Sequence, residues 1–217
     1  MIDDNWEMID GDAAHDIEVL NYSNQVNVIE ALVHLLMHHH KGEDGACISP
    51  PSERVLREFH RTATLFLLNN PGEFRDCPVQ VSTSDGTVVH QPPPHEEVQQ
   101  HTIDFFAELE KRWPVQSPQE LGAYALWMIN WIHPFKNGNG RTARAFCYAC
   151  VSLKFGFVLS GTPTLIDLIM QERPDYQSAL KVADRAFEAG LEPDLAPMID
   201  LVDRLLAQQF ASIPHAP

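Results

Sequence analysis

Positive charge is scarce in this chain. It carries 15 Lys and Arg against 30 Asp and Glu, a net charge of −15. So acidic a surface repels a nucleic-acid backbone, and nucleic acid is not an expected partner. Long apolar runs are missing as well. No stretch approaches the roughly 18 residues that a membrane-spanning helix needs. Cysteine is sparse: Cys47, Cys77, Cys147 and Cys150, with no zinc-ligand spacing. Cys147 and Cys150 form a Cys-x-x-Cys pair, but inside an apolar helical stretch and not after a strand. Buried structural thiols are expected there in place of a redox pair. Internal repeats and low-complexity linkers are also lacking, so no domain boundary is drawn within the 217 residues. The 44% hydrophobic content is enough for a sizeable single core. Met1 to Asn5 are acidic and lack the apolar centre of a signal peptide, which makes a cytoplasmic location the default. Secretion into a host cell stays open as the alternative.

One local absence says more than the global ones. Asp and Glu, abundant elsewhere, do not occur between residues 121 and 166, where Lys136, Arg141, Arg144 and Lys154 are found. A basic window in an acidic chain concentrates an anionic ligand. Its centre reads His133-Pro134-Phe135-Lys136-Asn137-Gly138-Asn139-Gly140-Arg141-Thr142-Ala143-Arg144. Residues 121–132 and 145–153 on either side are apolar nearly all round, the mark of buried helices. The motif is therefore predicted on a loop between two core helices. Gly138 and Gly140 allow positive φ, and successive N–H groups there can form an anion nest at a helix start. Arg141 and Arg144 share a face near that start, where the helix dipole disfavours cations unless an anion joins them. Guanidinium groups suit phosphate oxygens in two-pronged contacts. His133 can accept a proton from a hydroxyl near neutral pH. Taken singly, His133 reads as a helix C-cap and Gly-Asn-Gly as an ordinary turn. The combination points to a phosphate site beside a base.

Elsewhere the periodicity predicts helices over about 24–40, 51–68, 95–112, 118–132, 141–155, 164–171, 174–189 and 196–210. Ser117-Pro118-Gln119-Glu120 is a capping box with proline at the first helical position. Residues 78–91 are the one β segment: two alternating runs around Ser84-Asp85-Gly86, a hairpin signal favouring a primed turn. A lone hairpin offers free edges to an extended partner segment. His34, His38, His39 and His40 form a cluster at a helix end; His34 and His38 could share a metal, though a solvated helix end accounts for them as well.

The twelve-residue stretch resembles the signature of the Fic (filamentation-induced-by-cyclic-AMP) family, His-Pro-Phe-x-Asp/Glu-Gly-Asn-Gly-Arg-x-x-Arg, and departs from it at Asn137 alone. Asn70 to Arg75 resemble the family's lead into a hairpin "flap", and His90 to Pro94 its exit. Tyr176, Ala179-Leu180 and Ala183-Asp184 resemble a C-terminal helix of the family. The resemblance implies an all-α, Fic-like helical bundle of about eight helices with one β-hairpin flap. It implies a single domain over 1–217, with an N-terminal helical extension to about 48 and a core over about 50–210. It implies a protein adenylyltransferase that moves AMP from ATP to a Ser, Thr or Tyr hydroxyl of a target protein docked on the 78–91 hairpin. His133 would be the base and Phe135 a core anchor. Lys136 and Asn137 would belong to the cradle; Gly138, Asn139 and Gly140 would hold the α- and β-phosphates, Arg141 the β-phosphate and Arg144 the γ-phosphate. Asn137 replaces the family's metal-binding carboxylate, so Mg2+ is expected to be held mostly through the phosphates. Other donors (UMP, phosphocholine, phosphate) on the same fold, or a weakly catalytic nucleotide-binding module, are the alternatives. Many members carry an inhibitory helix whose Glu pairs with the second motif arginine. Glu18 is the nearest candidate, with Ala14 and Val19 departing from the pattern around it. A separate antitoxin chain is the other possible regulator.

Overall fold

The computed structural model describes residues 11–40, 42, 49–82 and 86–213. The N-terminal residues 1–10, Cys47, the turn residues Ser84-Asp85 and the side chains of His39 and His40 lie outside the described set. Eight α-helices and one two-stranded antiparallel hairpin make up the described regular structure, with a short 3-10 turn at His95–Glu97.

Helices α4 (Pro118–Ile132) and α5 (Asn139–Phe155) form the central pair. Leu121, Leu126, Trp127 and Ile129 of α4 and Phe146, Cys147, Cys150 and Val151 of α5 are buried together. The pair can approach closely because Gly122 has no side chain: a Cβ there would stand 2.7 Å from Val151 Cγ2. The capping box at the start of α4 is formed, with Ser117 Oγ accepting from Glu120 N and Glu120 Oε2 accepting from Ser117 N at 2.7 Å. Burial pushes the Cys147 thiol up to about 12 and Cys150 well above its ordinary value, which keeps both as inert core thiols.

Around this pair lie α1 (Gly11–His40) and α2 (Glu53–Thr64) on one side and α3 (Val98–Arg112), α7 (Arg173–Glu188) and α8 (Ala196–Ala211) on the other. The short α6 (Leu165–Gln171) joins α8 to α5 and starts with a second capping box, Thr164 with Asp167. Strands β1 (Val81–Ser82) and β2 (Val88–His90) make the flap, with Val81 opposite His90 and a bulge at the next pair.

Several boundaries differ from the sequence expectation, three of them with a clear physical reason. Helix α1 begins at Gly11, thirteen residues before the expected 24, because its first turns bury little and so lack an apolar stripe to read. Helix α2 ends at Thr64 and not at 68: Phe66 adopts φ 62°, and Leu67 and Leu68 are buried beyond the helix. Helix α5 starts at Asn139, so Gly140 lies inside its first turn instead of the loop. Both strands are shorter than expected. His34 and His38 are exposed, and no metal-holding cluster of His, Cys, Asp or Glu occurs among the described residues.

Candidate active site

The chain leaves α4 through His133, whose left-handed backbone (φ 50°, ψ 59°) turns it sharply into the motif. Phe135 then plunges into the core, fully buried. Asn139 closes the loop like a staple. Its Oδ1 accepts from Phe135 N and its Nδ2 donates to Phe135 O, both at 2.8 Å. The side chain of Asn139 is thus a buried structural clasp, which leaves its backbone to face the cradle. Gly138 takes φ 75°, and a Cβ on it would stand 2.6 Å from Thr64 Cγ2. Glycine is required there twice over, for conformation and for space.

Beneath the loop lies a residue that the sequence reading did not single out. His60 of α2 is buried and stacks on Phe135 with ring centroids 3.7 Å apart. Its Nδ1 accepts from Gly72 N at 2.8 Å, and its Nε2 lies 2.9 Å from the Asn137 carbonyl. A carbonyl can only accept, so Nε2 carries the proton and the ring is neutral. Burial lowers its pKa to about 4. The available signal was positional: His60 falls on the same α2 face as Leu56, Phe59 and Ala63, where an apolar residue belongs.

A pocket of about 470 Å³ opens over the loop. His133, Asn137, Gly138, Asn139, Gly140, Arg141 and Arg144 all line it. Lys136 does not; its Nζ pairs with Asp76 at 2.8 Å, at the root of the flap. The opposite wall comes from α7 and the flap, including Arg173, Lys181, Asp184 and Val89. Arg173 and Lys181 add cations that the motif alone did not reveal, because they lie far off in sequence.

His133 is partly exposed to this pocket. Its Nδ1 faces the Asn130 carbonyl at 3.3 Å, so Nδ1 carries the proton and Nε2 keeps a free lone pair. Burial first, then the nearby His90 and Arg75, lower its pKa to about 4, which leaves the ring unprotonated at neutral pH. Arg144 is half-buried; its Nε is itself buried with no hydrogen-bond partner among the described residues, and desolvation lowers its pKa. A desolvated, under-satisfied guanidinium at a helix start is a strong attractor for an anion.

Arg141 is met by Glu18, Nη1 to Oε1 at 2.9 Å. The candidate glutamate therefore reaches the motif, but on its first arginine and not the second. Three contacts dock this part of α1. Asn21 Nδ2 donates to Leu65 O at 2.8 Å, Gln25 Nε2 to Phe59 O at 2.9 Å, and Tyr22 OH to Asp167 at 2.5 Å.

Asn137 decides the question of metal. Its Oδ1 accepts from Gly138 N at 2.6 Å, and no carboxylate stands on the loop. Among the described residues, those at the loop do not build a site for a hard divalent cation.

Residues 50–151 match the model of the Fic/DOC family. A protein adenylyltransferase Fic of Nematostella vectensis is 32% identical over 134 residues, 61% of this chain and 27% of that protein. Among solved structures, a Fic family protein from Desulfovibrio desulfuricans superposes with a TM-score of 0.68 at 20% identity, over 94% of this chain and 54% of that one. The N-terminal Fic domain of a VirB-translocated Bep effector protein from Bartonella quintana, with bound ADP, superposes with a TM-score of 0.52 at 20% identity, over 87% and 84%. Residues 50–151, a little under half of the chain, carry the Fic/DOC family pattern, and the fold around them is that of solved Fic-domain structures. It spans about a quarter of the curated relative and about half of the Desulfovibrio structure. None of the described helices is long and apolar enough to cross a membrane.

Proposed function

We propose that the chain is a protein adenylyltransferase, moving AMP from ATP to a Ser, Thr or Tyr hydroxyl of a target protein. The observation that carries this reading is one pocket holding both an unprotonated His133 Nε2 and the Gly138–Arg144 anion cradle. The name of the Nematostella relative and the ADP bound to the Bartonella domain support the nucleotide.

In this reading the cradle holds the triphosphate. Backbone N–H groups at the start of α5 face the α- and β-phosphates, and Arg141 and Arg144 take the β- and γ-phosphates. The flap seats an extended target segment by strand addition. His133 Nε2 accepts the proton of the target hydroxyl as its oxygen attacks the α-phosphorus. The bond from that phosphorus to the bridging oxygen of the β-phosphate breaks, and pyrophosphate leaves with the electron pair. The target keeps AMP as a phosphodiester, and the proton rests on His133 until solvent takes it. Positioning and charge stabilisation supply the catalysis. No step is derived through a metal, because the loop offers a neutral amide in place of a carboxylate.

Glu18 makes the same site self-inhibited in this reading. Its carboxylate occupies the Nη1 of Arg141 that the β-phosphate needs, so α1 and nucleotide compete. The test of the main proposal is His133→Ala assayed with α-labelled ATP against a cell lysate. Label transfer should disappear while ATP binding by calorimetry is largely kept. Equal labelling by both proteins would remove His133 from the role of base. Asn137 favours one second reading, a nucleotide-binding module with little turnover; metal-independent ATP binding and no labelled lysate protein would be its signature.

A further inference from the structure

The last carbonyls of a helix have no partner within it. At the end of α4, His133 itself meets the carbonyls of Ile129 and Asn130, and the next four carbonyls, Trp131 to Pro134, are met by donors from the segment that carries the flap. His90 Nε2 donates to Trp131 O at 2.9 Å. Arg75 Nη2 reaches Ile132 O at 3.4 Å, and Arg75 Nε donates to His133 O at 2.8 Å. The backbone N–H of Arg75 donates to Pro134 O at 2.9 Å. The same guanidinium reaches outward to the flap's two roots, Cys77 O at 3.3 Å and Pro93 O at 2.5 Å.

Arg75 is only 3% exposed and makes no ion pair with a carboxylate among the described residues. Its charge is compensated by carbonyl oxygens at the negative end of α4. A planar fork of five N–H donors serves four carbonyls on three segments at once, one more than the three donors of a lysine ammonium can reach.

We infer that the flap is the C-terminal cap of α4, and that Arg75, seconded by His90, is the positioning residue that holds His133 in its left-handed backbone and so aims its imidazole into the pocket. The inference rests on His133 being the base. Left-handed backbone is unfavourable for a residue with a Cβ and persists only where the surroundings hold it. Here the holding group is a buried cation shared with the target dock. The seat of the target and the aim of the base are therefore one mechanical unit. A flap drawn out of place takes the His133 carbonyl with it.

The test uses the whole chain with Arg75→Lys, read in two independent ways. In nitrogen-15 histidine NMR, the His133 ring resonances, assigned with His133→Ala, should shift and broaden in the lysine variant. In the transfer assay, kcat should fall by on the order of 100-fold, the scale of a small misplacement of a reacting group. ATP affinity by calorimetry should stay within about twofold, because Arg141, Arg144 and the loop amides are untouched. Unchanged His133 resonances in a folded variant, with nothing altered but the melting temperature, would reduce Arg75 to a core residue and overturn the inference. Should the lysine variant fail to fold, His90→Ala removes the Trp131 contact together with the tilted ring pair, 6.4 Å between centroids, with His133. It is expected to shift the His133 signal in the same direction by less, and no shift overturns the inference. Absence of transfer by the wild-type chain would defeat the reading of His133 as a base, whereas the NMR comparison would still decide whether Arg75 positions it.

Discussion

Asn137 stands where the family signature carries a carboxylate. Its amide oxygen folds back on the Gly138 N–H at 2.6 Å, and its backbone carbonyl is held by His60. In the proposed reading the phosphates are held without that side chain, whereas a hard cation would need it. Asn137→Asp keeps the size and the acceptor for Gly138 and adds one charge. Magnesium should then tighten ATP binding on the order of tenfold relative to wild type, which calorimetry with and without the ion would measure. An equal response to magnesium in both proteins would mean that position 137 plays no part in metal affinity. Residues of this kind were legible in the sequence because they lie within one twelve-residue stretch. His60 was not, and Arg75, His90 and Asp184 were read only as parts of the flap's ends and a C-terminal helix, since only tertiary packing brings them to that stretch. For Asn139 the resemblance implied a place in the cradle, but nothing in the sequence showed its side chain's turn toward Phe135.

Among the elements, the buried ones were the readable ones. Helices α3, α4, α6, α7 and α8 lie within a few residues of expectation because they have caps, prolines or an apolar face that must be covered. Helix α1 shows the reverse. Val19 and Leu20 are exposed, and burial begins in earnest at Asn21, so the helical turns that carry Glu18 have no periodic signal. The contact that matters there is a single ion pair, with Glu18 46% and Arg141 24% exposed. Pairs so open to solvent contribute at most about 1 kcal/mol, which corresponds to no more than about fivefold in competition with phosphate. Glu18→Ala should thus raise ATP affinity by about two- to fivefold and raise transfer with it. Unchanged ATP binding in that variant would show that α1 does not obstruct the nucleotide, and a separate inhibitory chain would become the better candidate.

At the scale of the whole molecule, acid sensitivity follows from two neutral imidazoles built into the site's foundation. His60 and His133 both have pKa values lowered to about 4, chiefly by burial, against 6.5 in the unfolded chain. Between those values the unfolded chain binds more protons than the native one, so stability rises with pH across that window and is level above it. Falling pH removes this stability progressively from 6.5 toward 4. Protonating His60 is doubly unfavourable, because its Nδ1 accepts from Gly72 N and would become a donor facing a donor. For this fully buried ring the loss between about pH 7 and about pH 5 amounts to about 2 kcal/mol. Asp76 and Glu120, whose pKa values are lowered from 3.8 and 4.5, act with the same sign but further into acid, so they leave that interval to the histidines. Urea unfolding at both pH values should show the loss in wild type and a smaller pH difference in His60→Gln, which cannot titrate. An identical pH difference in the two proteins would remove His60 as a source of the acid sensitivity. Because the ring carries the carbonyl of Asn137, the same acidification should loosen the phosphate loop before the core gives way. ATP binding is therefore expected to fail at a higher pH than global unfolding, measured by calorimetry and circular dichroism on the same samples.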